Sequence, residues 1–281
     1  MKVGIIGLGL IGGSFALSLK KKEGYKIYGS DKYHYDLAIS LGLIDEKLTD
    51  ANLSQMDIVL IATPVDTIGK IGNDILDKIS ADTLVMDAGS IKHKIAREIS
   101  KHPRRKNFLL SHPIAGTEYS GPEAAFSNLF AHKINIFCDV DDTDPDLLKS
   151  GYKIMKLLQM KTIEMDSYEH DRHIAYVSHL SHISSFMLGK TVMDLEKDEK
   201  NIFDMAGSGF ASTVRLAKSS PDTWTPIFME NKENILQSLN EYIQNLDYLR
   251  KNLEEDNSEA IYKQLKKINH IKTIIDKLEK S

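Results

Sequence analysis

Two periodicities divide the chain. Through residue 165, short runs of aliphatic and β-branched residues alternate with stretches of helical spacing. The runs fall at 2–6, 26–29, 58–61, 83–86, 108–110, 133–137 and 161–165. Strands alternating with helices predict an α/β domain built on a parallel sheet. Ile58, Val59, Leu60 and Ile61 are apolar at successive positions, so both faces of that strand must be covered, as in a doubly wound sheet with helices on each side. From Asp166 onward strand patterning stops. Asp166 with Glu169 three positions later predicts a helix start of capping-box type, and Ser220-Pro221 predicts a second start. Phe228, Ile235, Leu239, Leu246, Leu249 and Leu253 then recur at helical spacing and predict one long helix. Ile261, Leu265, Ile268 and Ile275 continue the pattern in another.

The expected organisation is therefore an α/β domain over residues 1–165 and an all-helical domain over 166–281. Neither apolar stripe of the second half can be buried by its own helix, so each needs a partner surface. A second copy of the chain is the expected partner, making a homodimer through the helical domain.

Composition narrows the function classes. The 281 residues suffice for two domains with separate cores. Lys and Arg number 36 against 40 Asp and Glu, a formal charge of −4, which removes the broad attraction that nucleic acid or an anionic membrane requires. No run of about 18 apolar residues exists to cross a bilayer. Cys138 is the only cysteine, which excludes an internal disulfide or a multi-thiolate metal centre. A cytoplasmic protein without a nucleic-acid or membrane partner is expected. Residues 101–106 form a short basic run, read as a solvated loop.

Gly7-Leu8-Gly9-Leu10-Ile11-Gly12 follows the first predicted strand and opens an apolar helix through Phe15, Leu17 and Leu19. In that context G-x-G-x-x-G is a dinucleotide fingerprint. Gly7 permits the tight turn, Gly9 admits the pyrophosphate to the backbone, and Gly12 allows close helix–strand packing. Phosphate then meets the helix N-terminus, beside Leu10 and Ile11. Asp31, at the end of the second strand, is the acidic residue expected about 20 positions on. Its carboxylate accepts ribose hydroxyls and repels a 2′-phosphate, which favours NAD over NADP. Thr63-Pro64 and Gly89-Ser90 follow later strands, at the edge where a ligand crevice lies. Thr63 and Pro64 are therefore candidate cofactor contacts.

Ser111-His112-Pro113-Ile114-Ala115-Gly116-Thr117-Glu118 follows the fifth predicted strand. A histidine at a strand end, flanked by hydroxyl, carboxylate and small residues, suits acid–base chemistry. His170, His173, His179 and His182 are not expected to share a metal ion. At about 100° per residue, His179 and His182 point away from the side that carries His170 and His173. Trp224 is read as a helix-packing anchor.

The whole chain resembles the prephenate dehydrogenase family. The resemblance rests on the fingerprint, on Asp87-Ala88-Gly89-Ser90, on residues 111–121, on Ser178-His179-Leu180-Ser181-His182, and on Arg215-Leu216-Ala217-Lys218-Ser219 leading to Trp224. It implies a Rossmann domain followed by a helical dimerisation domain. The implied activity is NAD-dependent oxidative decarboxylation of prephenate to 4-hydroxyphenylpyruvate, CO2 and NADH in tyrosine biosynthesis. By position it makes His112 the catalytic acceptor of the substrate hydroxyl proton, with Ser90 hydrogen-bonded alongside. Arg215 binds a substrate carboxylate, while Ser178, His182, Thr117 and Glu118 line the pocket or its gate.

This chain departs from the pattern at Gly209-Phe210-Ala211-Ser212, where relatives are expected to carry a basic residue. Lys218, or a residue of a partner chain, is the expected substitute. The resemblance implies neither a regulatory ACT domain nor a fused chorismate mutase, so tyrosine feedback would act at the active site. Two alternatives stay open: an arogenate (cyclohexadienyl) dehydrogenase, and a catalytically silent NAD(H)-binding sensor.

Overall fold

A computed structural model describes residues 1–196 and 202–278. Eight strands form one sheet: β1 Lys2–Ile6, β2 Lys26–Ser30, β3 Glu46–Lys47, β4 Ile58–Ile61, β5 Leu84–Asp87, β6 Phe108–Pro113, β7 Ile134–Cys138 and β8 Lys161–Met165. Their spatial order is β3-β2-β1-β4-β5-β6-β7-β8. β1 and β4 are neighbours with chain connections leading away on opposite sides, so the crevice beyond their C-terminal ends is the ligand position of a Rossmann-type sheet. Seven of the strands match the predicted runs; the two-residue β3 carries no apolar signal and was not expected.

The sheet is predominantly parallel, as expected, with one exception. β7 runs antiparallel to β6, with His112 opposite Ile136. Parallel neighbours need a crossover element, and residues 114–133 supply only one short 3-10 turn, Pro122–Ala124. The chain therefore returns beside β6 in the opposite direction. A helical crossover follows β7, and β8 is parallel to it.

Helices α1 Leu10–Lys20, α2 Tyr35–Ser40, α3 Asp50–Leu53, α4 Ile68–Leu76, α5 His93–Ile99 and α6 Pro145–Leu157 accompany the sheet. Alternation along the strands separates two cores. Ile58 and Leu60 point into one with Phe15, Leu19 and Ile154, while Val59 and Ile61 point into the other with Ile68, Ile95 and Ile99. Each central strand is thus apolar on both faces, as its sequence required. The basic run at 101–106 is only partly solvated. Arg105 is buried and donates to the Phe108 carbonyl at 2.6 Å, and Arg104 donates to the carbonyl of Ile79.

Beyond β8 come α7 Ser167–Ile174, α8 Leu180–Glu196, α9 Ser208–Thr213, α10 Pro221–Glu230, α11 Lys232–Glu254, α12 Ser258–Ile268 and α13 Ile271–Leu278. Asp166 caps α7 by accepting from the Tyr168 and Glu169 amides at 2.8 and 3.0 Å, as its position before Glu169 predicted. The single long helix expected from Phe228 to Leu253 is broken at Asn231, which leaves helical geometry at φ −108°, ψ 26°. Contacts gather the chain into two compact units, Met1–Asn234 and Ile235 onward. The first unit extends past the change of periodicity because Ile227 of α10 is buried in the same core as Val65 and Ile68. In the second unit Leu246, Leu253, Leu265, Ile268 and Ile275 are exposed. Among the described residues no helix is long and apolar enough to cross a membrane.

Candidate active site

The fingerprint forms the turn between β1 and α1. Gly7 has φ +92°, and a Cβ there would lie 2.4 Å from the Ala62 carbonyl oxygen, so β1 approaches the β4 end only as glycine. Gly9 is the N-cap of α1, and a Cβ built on it meets nothing within 4 Å. Gly9 thus leaves open space at the N-terminus of α1, which fits a phosphate group approaching the backbone there, while Leu10 is buried and Ile11 half-buried. A Cβ on Gly12 would lie 1.9 Å from the Gly7 carbonyl oxygen. Because that atom is backbone, Gly12→Ala should force α1 off β1 and lower stability by about 1–3 kcal/mol. Urea denaturation would show it; an unchanged midpoint would contradict the close packing assigned to Gly12.

Asp31 sits at the end of β2. Its Oδ2 accepts from the Leu8 amide at 2.7 Å, and its Oδ1 accepts from the Tyr33 and His34 amides at 2.8 Å each. Burial alone would raise its pKa, but these three amides outweigh burial and hold the carboxyl below its ordinary value. The carboxylate pins the glycine turn and still has lone pairs for a ribose. Thr63 and Pro64 follow β4, where the Thr63 and Thr67 hydroxyls lie 2.9 Å apart.

On the same edge of the sheet, the ends of β5 and β6 are locked by a buried ion pair. Lys92 bonds Asp87, and neither side chain is exposed. Asp87 also accepts from the Gly89 and Ser111 amides at 2.9 and 3.1 Å. The Lys92 ammonium donates to the Ser111 carbonyl at 2.7 Å. Ser90 lies half-buried in the loop between these groups.

His112 is buried on β6. Its Nδ1 lies 2.8 Å from Nε2 of His170 on α7, and the His170 Nδ1 lies 2.8 Å from the Asp171 carboxylate. The ring partner of His112 is therefore His170, and no hydrogen bond joins it to Ser90. That corrects the pairing expected from the resemblance. The β5–α5 loop spends its backbone amides elsewhere: those of Lys92 and His93 donate to Asp171 at 2.7 and 2.9 Å. Burial pushes the His112 pKa well down, and the charges of His170, Lys92 and His179 push it further.

A second correction concerns His179. It does not point away from the His170 side: the Asn231 amide nitrogen lies 2.7 Å from the Asp171 carbonyl and 3.2 Å from His179 Nδ1. Residues 175–179 form a π-turn, whose wider winding rotates the following helix relative to α geometry. The break at Asn231 frees that side chain to enter the cluster. Among the described residues His179 Nε2 has no hydrogen-bond partner, and burial pulls the His179 pKa down to about 4.

His182 stacks on Trp224 with ring centroids 3.4 Å apart, and its Nδ1 lies 3.0 Å from the Ser178 carbonyl. Burial holds the His182 pKa down, Ser178 opposes that, and the Arg215 charge adds to it. Arg215, half-exposed on the turn Arg215–Lys218, lies 3.6 Å from Glu118. Thr117 is exposed on the same loop as Glu118, and Ala211 is exposed on α9. His112, His182, Arg215 and Glu118 all belong to the first compact unit. Sequence reasoning missed Lys92, His170, Asp171 and Asn231. A signal existed for the first in its spacing of five from Asp87, but none for the others.

Four buried histidines, His112, His170, His179 and His182, have depressed pKa values and make stability pH-dependent. Above about pH 6.5 they are neutral folded and unfolded. Below it the unfolded chain takes up protons that folded His112, His170, His179 and His182 refuse, down to about pH 4 for His179. Stability should fall across that window by up to about 1.4 kcal/mol per pH unit for each excluded proton. A melting temperature equal at pH 7 and pH 5 would rule this out.

Known proteins resemble the chain along nearly its whole length. The family model for the prephenate dehydrogenase nucleotide-binding domain matches residues 15–164, and that for the prephenate dehydrogenase dimerization domain matches 166–267. Prephenate dehydrogenase of Bacillus subtilis (strain 168) is 31% identical over 269 residues, covering 93% of this chain and 72% of that protein. The crystal structure of Aquifex aeolicus prephenate dehydrogenase, in complex with hydroxyphenyl propionate and NAD+, shares 32% identity. It superposes at a TM-score of 0.88 over 98% of each chain. Synechocystis arogenate dehydrogenase shares 27% identity at a TM-score of 0.77, covering 96% of this chain and 98% of that one.

Proposed function

This chain belongs to the prephenate dehydrogenase family, and from that premise we propose that it oxidises prephenate with NAD, releasing CO2 and forming 4-hydroxyphenylpyruvate for tyrosine synthesis. The observation that carries the reading is His112: a buried imidazole held neutral at the C-terminal end of β6, on the edge of the sheet that carries the nucleotide turn. A neutral imidazole there is what deprotonation of a carbinol requires.

The backbone at Gly9, Leu10 and Ile11, approached through the open space at Gly9, would hold the NAD pyrophosphate, with Gly7 and Gly12 shaping the turn, Asp31 taking the ribose, and Thr63 and Pro64 lining the crevice. NAD supplies the acceptor for the hydride that leaves the carbinol carbon. His112 takes the hydroxyl proton as that carbon gains carbonyl character. Loss of the ring carboxylate as CO2 returns an electron pair to the ring, and His112 gives the proton back to the oxygen as it becomes phenolic. Ser90 lines this end of the site. Arg215 binds one substrate carboxylate through its planar fork, in place of its contact with Glu118. Lys218, exposed on the same turn, replaces the cation absent at Ala211. Ser178, His182 and Thr117 complete the wall, and tyrosine, which shares the product's ring, competes there. The exposed apolar residues of α11 to α13 are assigned to a homodimer, and a monomeric mass in solution would exclude that assignment.

Likeness to an arogenate dehydrogenase supports a second substrate, in which an amine replaces the keto group. NADH formation is followed with prephenate and with arogenate, each with NAD and NADP. Turnover of prephenate with NAD supports the proposal, and turnover of arogenate alone moves it to the second reading. If neither acid reduces either cofactor while NAD binds, the chain is an NAD-binding sensor.

A further inference from the structure

We propose that His170 and Asp171 are positioning residues that fix His112 in the tautomer whose Nε2 carries the lone pair. The proposal rests on the reading of His112 as the base, and extends it to residues that act only through that ring.

The hydrogen bonds run inward from the Asp171 carboxylate. Asp171 Oδ1 accepts from the Lys92 amide at 2.7 Å, and Oδ2 accepts from the His93 amide at 2.9 Å. A carboxylate only accepts, so the His170 nitrogen 2.8 Å from Oδ1 must be the one bearing hydrogen. A neutral imidazole has one hydrogen. His170 Nε2 is then bare and can only accept. It lies 2.8 Å from His112 Nδ1, which must therefore donate. In neutral His112 the remaining nitrogen, Nε2, is left with the lone pair that takes a proton. The three side chains are buried, at 8%, 1% and 3% exposure for His112, His170 and Asp171, so water does not compete for these bonds.

Burial would make a charged His112 costly. When Nε2 gains the substrate proton, the positive charge is shared through Nδ1–H and His170 toward the Asp171 carboxylate, which is the compensation a buried cation needs. Asp171 is itself held from three sides, its carboxylate by two amides of the β5–α5 loop and its carbonyl by Asn231 at 2.7 Å. The carboxylate that orients the base is thus fixed to the loop following β5, while its histidine comes from α7.

The test separates tautomer from turnover. Nitrogen NMR of histidine-labelled protein at neutral pH, with His112 assigned by its loss in His112→Asn, should show Nδ1 protonated and Nε2 bare. A protonated Nε2 overturns the proposal whatever the substrate proves to be. In turnover, His170→Leu should lower kcat by on the order of 10², with the KM for prephenate and the affinity for NAD near wild type. His170→Gln, which restores an acceptor near the Nε2 position, should recover part of that loss. The His170→Leu effect should vanish when added to His112→Asn. An equal further loss in that background would show a structural role and overturn the proposal. Wild-type protein inert toward prephenate would refute the proposed function instead, and the tautomer measurement would still decide this inference.

Discussion

His112→Asn should lower kcat on prephenate by about 10²–10⁴ while leaving NAD affinity near the wild-type value. That range is what a positioned general base contributes, and the split between turnover and cofactor binding follows from where the residue sits. His112 lies on β6, four strands from β2, which Asp31 follows, and three from the glycine turn after β1. Removing its ring should therefore leave the proposed nucleotide contacts intact. Asparagine keeps a polar group near the Nδ1 position, so it can still pair with His170, but it has nothing in place of Nε2 to take a proton. The pH profile should agree. His112 must be neutral to act, and burial with nearby positive charge holds its pKa well below the ordinary histidine value. The rate should thus stay level from neutral pH through about 6.5 and fall only on further acidification. A wild-type turnover in His112→Asn would remove the residue from the mechanism, and an acid limb above pH 6.5 would contradict its depressed pKa.

Asp87→Ala should destabilise the fold by about 3–5 kcal/mol, the cost of leaving a buried charge uncompensated. Lys92 is among the largest fully buried side chains of the protein, and its ammonium is bonded to Asp87 and the Ser111 carbonyl. Asp87 also accepts the Gly89 and Ser111 amides. Its truncation strands three donors at once in a region closed to water. The double variant Asp87→Asn/Lys92→Met should recover much of the loss, because the charge is removed with its partner and the apolar stem still fills the space. Chemical denaturation of wild type and both variants measures this. An Asp87→Ala protein within about 0.5 kcal/mol of wild type would show that water reaches the pair.

The features legible along the chain are those written in local spacing. The strand runs, the doubly covered core at 58–61, the Gly7–Gly12 turn, Asp31 and the Asp166 cap all depend on neighbours within a few residues or on the two faces of one element. Backbone periodicity and turn sterics act at that range, so the pattern of residues carries them directly. His112 at a strand end was legible for the same reason.

Which side chains meet depends on packing between distant elements. The direction of β7 depended on whether residues 114–133 folded into a crossover, and composition does not settle that. The partner of His112 lies 58 positions away, and Asp171 meets the Lys92 amide across 79. A uniform winding of 100° per residue separated His179 from His170; the π-turn at 175–179 and the break at Asn231 brought both to one cluster. Each is a small departure from regular geometry, stabilised by hydrogen bonds that exist only once distant elements pack. The chain thus encodes locally where His112 stands, and only the packed fold determines which group its ring meets.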